Sequence, residues 1–328
     1  MAMDEEGVAA GRHATQGGRA GSGGRWTVND IPDQTGRTVL ITGANSGLGL
    51  RSAEALAAAG ARVLMACRNE AKAAEAQALV AAGASEDAPE PEVVKLDLSD
   101  LDSVRACADE VAGRVERLDV LLNNAGVMAV PLSRTAQGFE MQFGTNHLGH
   151  FALTGLLLPV LQRTEAPRVV TTASTAHKGG RMHWDDLNSD ESYRRWRAYG
   201  QSKLANLLFM RELDRRAREA DSDLVSVSAH PGYAATHLQG HSGSWIEGRT
   251  MALGNFLFAQ SDAAGALPQL YATTMPDVSG GDYYGPDRLF EMRGSPKPAS
   301  STAASKDLAA ARRLWEISEK LTGITYGF

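Results

Sequence analysis

From Thr38 onward, short runs of β-branched and apolar residues alternate with longer Ala- and Leu-rich stretches. "TVLIT" from Thr38 reads as a buried strand, and "GLGLRSAEALAAAG" from Gly47 as a helix closed by Gly60. "ARVLMAC" from Ala61 is a second strand, followed by a helix over "NEAKAAEAQALVAAG" from Asn69. "PEVVKLDL" from Pro91 and "LDVLLNNAG" from Leu118 are strands three and four, with the helix "DLDSVRACADEVAGRV" from Asp100 between them. Gln137 to Gln162 reads as mainly helical, "PRVVTTAS" from Pro167 as strand five, about Tyr193 to Glu219 as a long helix, and "LVSVSAHPG" from Leu224 as strand six. Continuous apolar strands separated by helices predict the α/β class, with a doubly wound, parallel sheet. After Gly232 the rhythm changes. Two further helices follow, "GGDYYGP" from Gly280 reads as a last edge strand, and "SKDLAAARRLWEISEKLTG" as a terminal helix with Ser305 as N-cap and Gly323 as its stop.

Composition narrows the function classes. The chain has 328 residues and 43% apolar content, enough for one substantial core, and a net charge of −6 gives no electrostatic ground for a nucleic-acid partner. Cys67 and Cys107 stand far apart with no CxxC spacing, which argues against a disulfide framework or a cysteine metal site and for a reducing, cytoplasmic setting. No apolar run reaches membrane-spanning length; "GLLLPVL" from Gly155 is far too short. The Gly- and Ala-rich N-terminus lacks the order of a secretory signal, and residues 1–33 are expected to be a flexible tail ahead of a single domain at 34–328.

"TGANSGLG" links the first strand to the first helix, with Gly43, Gly47 and Gly49 spaced GxxxGxG. Glycines allow a tight turn and close approach, and the helix start presents free N–H groups to a pyrophosphate. In this position the turn predicts dinucleotide binding and a Rossmann-type sheet of about seven strands. Gly43, Asn45, Ser46, Gly47, Leu48 and Gly49 are its candidate contacts. An NAD site commonly ends the second strand with an acid. Here Cys67 holds that place and Arg68 follows, which favours NADP (NADPH) over NAD because a guanidinium pairs well with a phosphate. A solvated Arg opening the next helix is the plainer alternative. Asp97, with Leu98, ends strand three, where a carboxylate can meet adenine; Asp97 or Ser99 can equally cap the next helix. Asn124, Ala125 and Gly126 of "NNAG" end strand four, either to admit adenosine or simply to turn.

"TGANSGLG", "NNAG", "NHLGHF", "ASTAH", "YGQSK" and "HPGYAAT" occur together and in order. In this the chain resembles the short-chain dehydrogenase/reductase family over nearly everything from Gly36 to the terminal helix. The phrasing is most similar to the branch holding retinol dehydrogenases, the WW-domain oxidoreductase and light-dependent protochlorophyllide reductase. The resemblance implies Tyr199 as general acid/base. One helical turn places Lys203 beside it, where an ammonium would lower the phenol from its ordinary value of about 10; Lys203 also binds the nicotinamide ribose. Ser174 would hold the substrate oxygen, with Thr171, Thr172 and Thr175 as neighbouring alternatives, and Asn146 would hold a water leading to the lysine or stabilise a helix irregularity. Pro231 and Gly232 would turn beside nicotinamide, and Thr236 would contact the cofactor or cap a helix. Tyr193, four residues before Arg197, does not fit the motif. His147 and His150 read as structural with no metal set, and His177 as part of the pocket rim.

The expected function is therefore NADP-dependent hydride transfer to or from an apolar alcohol or carbonyl compound. The apolar residues of 238–260 would form a substrate lid, and a homo-oligomer built on the two long helices is implied by the resemblance. A cofactor-binding redox sensor and a pigment photoreductase remain as alternatives; a sensor has no need of the Asn146, Ser174, Tyr199 and Lys203 set.

Overall fold

The computed structural model describes residues 25–232 and 261–328. Thr236, the expected lid at 238–260 and the first 24 residues lie outside the described residues. Part of the expected tail is packed: Trp26 donates its indole N–H to Met275 Sδ at 3.3 Å and meets Tyr271 edge-on at 5.3 Å.

Apolar runs form the strands β1 (Thr38–Thr42), β2 (Arg62–Cys67), β3 (Glu92–Lys95), β4 (Val120–Asn123), β5 (Arg168–Thr172) and β6 (Val225–Ala229). β1 and β4 are buried at every position, as expected of strands covered on both faces. Two more strands, β7 (Tyr283–Arg288) and β8 (Arg293–Pro298), complete one sheet in the order β3-β2-β1-β4-β5-β6-β7-β8. All neighbours are parallel except β7 and β8. The sheet thus has eight strands rather than seven, and β7 is not the edge. β8 escapes sequence reading because "RGSPKP" carries two prolines; an edge strand tolerates these, since one side needs no ladder.

Chain order reverses between β1 and β4, and that point opens a crevice at the carboxyl ends of the strands. Helices α1 (Gly47–Ala58), α2 (Glu70–Gly83) and α3 (Leu101–Arg114) return the chain between successive strands. Asn69 caps α2 by accepting from Lys72 N at 3.0 Å. Asp100 caps α3, so neither Asp97 nor Ser99 does. A short α4 (Met141–Phe143), capped by the buried Glu140, runs into a π-helical stretch, Gly144–Leu148, and then α5 (Gly149–Leu161). Tyr193 lies ahead of the long helix α6 (Arg195–Glu219), and α7 (Asp262–Thr274) follows later.

The terminal helix α8 (Leu308–Thr322) is capped by Asp307, not Ser305, and stops at Gly323 in the left-handed region at φ 68°. Asp307 wins because its carboxylate accepts from Ala309 N and Ala310 N at 2.9 and 3.0 Å, whereas Ser305 is held in a preceding turn by Thr302. Trp315 of α8 stacks on Phe209 of α6 and meets Phe151 of α5 edge-on. α8 therefore occupies ground on the two long helices. No helix among the described residues is long and apolar enough to cross a membrane.

Candidate active site

A cavity of about 570 Å³ runs along the crevice. Gly43, Asn45, Ser46, Gly47, Leu48, Arg68, Asp97, Leu98, Asn124, Ala125 and Gly126 all line it. Gly43 and Gly47 hold left-handed backbone at φ 68° and 53°. Gly49 does not face the cavity. A Cβ there would meet the Gly43 carbonyl oxygen at 2.3 Å, so its role is to bring α1 against the turn. Asn124 braces the same turn, donating from Nδ2 to the Thr42 carbonyl at 2.8 Å.

Four observations fit a dinucleotide. Ser46 caps α1 without a side-chain hydrogen bond and the first turn carries no acid, which leaves its N–H groups free of internal competition for a pyrophosphate. Cys67 is buried, and burial pushes its thiol up to about 11, so no negative charge ends β2. Arg68 and Lys72 both line the cavity. Asp97 Oδ1 is engaged by the Ser99 amide and hydroxyl at 2.9 and 2.6 Å, which orients the carboxylate at the cavity wall.

Sequence reading missed Lys72, Asn69 and Gln269. Lys72 sits one turn into α2 behind Asn69, a cap pattern that was legible but unassigned. Gln269, on α7, donates to Ser52 Oγ at 2.8 Å and to Asn124 Oδ1 at 3.2 Å, tying α7 to the glycine turn. Only its polarity inside an apolar helix marks it.

At the carboxyl end of β5, Ser174 caps a short 3-10 turn, Thr175–Gly179, and accepts from Ala176 N at 3.2 Å. Tyr199 lies buried on α6. Burial pushes its phenol up to about 12, against a hydrogen bond from Ser174 that lowers it. Burial outweighs any depression by Lys203, whose ammonium donates to the Thr172 carbonyl at 3.0 Å and lies 5.8 Å from the Tyr199 ring centroid. Burial brings Lys203 itself down to about 8.

Asn146 sits in the π-helical stretch. Its side chain pairs with the Val127 backbone, accepting at 2.8 Å and donating at 2.9 Å, and also donates to Ser202 Oγ at 3.0 Å. Its backbone carbonyl accepts from His150 Nδ1 at 3.1 Å. The helix irregularity and the asparagine therefore coincide, and the amide is fixed to the strand-four turn and to α6.

The remaining candidates sort clearly. Thr172 Oγ1 is tied to Gln269 at 3.2 Å and Thr171 is buried within β5, whereas the hydroxyl that meets Tyr199 is that of Ser174. Tyr193 donates to the Val130 carbonyl at 2.6 Å and accepts from Gln142 at 2.9 Å, a structural tie. His147 bonds Ser318 and His150 bonds Thr42; burial lowers them to about 3 and 4. No metal-ligating cluster occurs among the described residues. His177 is wholly buried, not on a rim. Gly232 turns at φ 70°, where a Cβ would strike the Met292 carbonyl at 2.4 Å, so the β7–β8 connection packs directly on the turn that follows Pro231.

This architecture is a nucleotide-binding oxidoreductase scaffold, and the short-chain dehydrogenase profile matches residues 37–247. The chain belongs to the short-chain dehydrogenase/reductase family, whose members bind NAD(P) and act on CH–OH or C=O groups. Within it, the chain is similar to retinol dehydrogenase 14 of Mus musculus, 43% identical over 88% of this chain and 86% of the relative. A solved uncharacterized protein from Mycobacterium paratuberculosis superposes with a TM-score of 0.76 at 43% identity, covering 93% of this chain and all of the other. A short chain dehydrogenase from Shigella flexneri solved with NADP superposes with a TM-score of 0.60 over 77% of this chain and 98% of its own, and at 22% identity shares the fold.

Proposed function

We propose that the chain is an NADP-dependent oxidoreductase that moves a hydride between nicotinamide and an apolar alcohol or carbonyl compound, with Tyr199 as general acid/base. The observation that carries this reading is the contact of a buried Tyr199 phenol with Ser174, on the helix that also bears Lys203, whose ammonium lies 3.7 Å from where a Cβ on Gly126 of the cavity wall would stand.

The glycine turn and the start of α1 would hold the pyrophosphate, and Asp97 with Asn124–Gly126 the adenosine. Arg68 and Lys72 would take the 2′-phosphate. Tyr199, Lys203, Pro231, Gly232 and Thr236 would surround the nicotinamide end. When bound, the nicotinamide supplies or accepts the hydride. Ser174 holds the substrate oxygen and stabilises its developing charge. Tyr199, kept neutral by burial, gives its proton to that oxygen in the reducing direction. The Lys203 ammonium, near the ring, stabilises the phenolate that results. Asn146 keeps the strand-four turn and α6 in register, and the water path to Lys203 belongs to the same reading.

Trp196 supports an apolar substrate: it is 44% exposed and stands edge-on to Tyr199 at 6.1 Å, an aromatic surface beside the reactive hydroxyl. The named activity of the mouse relative points the same way, since retinol is an apolar alcohol. A homo-oligomer would use surface that α8 leaves open on α5 and α6.

The test pairs turnover with cofactor choice. NADPH consumption is expected with apolar aldehydes and ketones and not with charged sugars. Arg68→Ala should weaken NADPH binding about ten- to a hundredfold, the equivalent of about 1.5–3 kcal/mol for lost hydrogen bonds between charged groups, and leave NADH binding unchanged. Equal NADPH and NADH affinities in the unaltered protein would remove the role given to Arg68.

A further inference from the structure

Behind Ser174 lies a buried polar trio that the proposed chemistry does not use. His177 sits in the 3-10 turn after β5, His230 directly follows β6, and Tyr283 opens β7. None is more than 5% exposed. The two imidazoles flank the Tyr283 ring, with centroids at 5.7 Å for His177 and 5.2 Å for His230.

Their tautomers follow from their partners. His177 Nδ1 lies 2.6 Å from the Ser174 carbonyl oxygen, which can only accept, so Nδ1 carries the hydrogen and Nε2 is a bare acceptor. His230 Nδ1 accepts from the Gly232 N–H at 3.1 Å, so in its neutral ring Nε2 carries the hydrogen. Burial keeps both neutral near pH 7, lowering His177 and bringing His230 down to about 4. The result is one acceptor (His177 Nε2), one donor (His230 Nε2–H) and one hydroxyl able to do either (Tyr283). Among the described residues, none of these three buried atoms has a hydrogen-bond partner. Leaving them unmet would be expensive, and donor, acceptor and hydroxyl together are what one water satisfies.

The surroundings are shaped for this cluster. A Cβ on Gly285 would lie 2.0 Å from His230 Nε2, so the imidazole rests on a strand position that has no side chain. Glu291, in the β7–β8 connection, closes the cluster toward solvent. It bonds Lys178 at 2.8 Å and the Ser300 amide at 2.9 Å, and stands 3.9 Å from His230 Nε2, too far to satisfy it.

We propose that His177, Tyr283 and His230, bridged by one buried water, form a positioning strut between Ser174 and the Gly232 turn. One end grips the carbonyl of the residue that holds the substrate oxygen, and the other grips the amide beside the nicotinamide. The strut fixes the spacing between the two reacting partners, a distance to which hydride transfer is steeply sensitive. This inference rests on the functional reading above. The three are positioning residues; they touch neither substrate nor cofactor.

Tyr283→Phe tests it, because the variant keeps the ring that packs on Leu207 and Met210 and removes only the hydroxyl. The expected result is a fall of about tenfold in the single-turnover hydride-transfer rate with NADPH affinity unchanged. A high-resolution structure of the NADPH complex should hold a water within hydrogen-bond distance of all three atoms. Nitrogen NMR of the imidazoles should find His177 protonated on Nδ1 and His230 on Nε2. An unchanged transfer rate in Tyr283→Phe, a dry cluster, or the opposite tautomers would each overturn the strut. Should Tyr199→Phe be inactive while the cluster is dry, the strut alone fails. Should Tyr199→Phe be fully active, the functional reading fails and takes the strut's purpose with it.

Discussion

Lys203→Met should make the cofactor-free protein more stable while abolishing turnover. Lys203 is buried on α6, and its ammonium has the Thr172 carbonyl as acceptor at 3.0 Å. Burial lowers it from 10.5 to about 8. That fall corresponds to about 3 kcal/mol of unfavourable free energy for holding the charge in the fold at pH 7. Because the folded value lies below the unfolded one, the unfolded chain binds more protons between about pH 8 and pH 10.5. The penalty is full below that window and fades as pH rises through it. Methionine removes the penalty but forfeits the bond that the charged ammonium gives Thr172, about 2 kcal/mol. Asn206 still donates to that carbonyl at 3.1 Å, so no buried acceptor is orphaned. The net expectation is a gain of about 1 kcal/mol at pH 7, or about 1.5 °C in Tm for a chain of this length. At pH 10 the remaining penalty is under about 1 kcal/mol and the gain vanishes. Thermal or denaturant melts of both proteins at the two pH values read this directly, and taking their difference cancels every other titrating group. A variant that melts below wild type at pH 7, or a difference that does not change with pH, would refute the argument.

Gly49→Ala should cost at least about tenfold in NADPH affinity, since its Cβ would press at 2.3 Å on the Gly43 carbonyl and backbone must move; fluorescence titration with an intact melt checks it. Tyr193→Phe should lower stability by about 1–2 kcal/mol, through loss of the bonds to Val130 and Gln142, and leave kcat in place. Loss of kcat instead would move the acid/base role to Tyr193.

The parts of the site legible in the sequence were those set by backbone and order. Gly43, Gly47, Asn124 and Gly126 could be placed because a turn leaving a strand has few solutions and all of them lie at the carboxyl ends of the sheet's strands. Tyr199, Lys203 and Ser174 were legible as types and spacings, but their electrostatics were not. Whether Lys203 points at a phenol or at the Thr172 carbonyl depends on where β5 ends beneath α6, and that is a tertiary fact. β8 was hidden because proline lowers strand propensity everywhere except at an edge. Asp307 displaced Ser305 as the cap because a carboxylate two residues along reached two amides. His177, His230 and Tyr283 come from three separate strand ends, so no local pattern could unite them. Lys72 reaches the cavity, and Gln269 braces Asn124 behind its wall, from helices whose apolar rhythm gave no hint of a ligand.

The central claim is that the Tyr199 hydroxyl moves the proton that accompanies hydride transfer. The most direct test mixes wild type and Tyr199→Phe with NADPH and an apolar aldehyde in a single turnover, following nicotinamide absorbance while NADPH affinity is titrated in parallel. The account predicts that the variant binds NADPH as wild type does but transfers hydride about a hundred- to ten-thousandfold more slowly. A variant that reduces the aldehyde at the wild-type rate would contradict it.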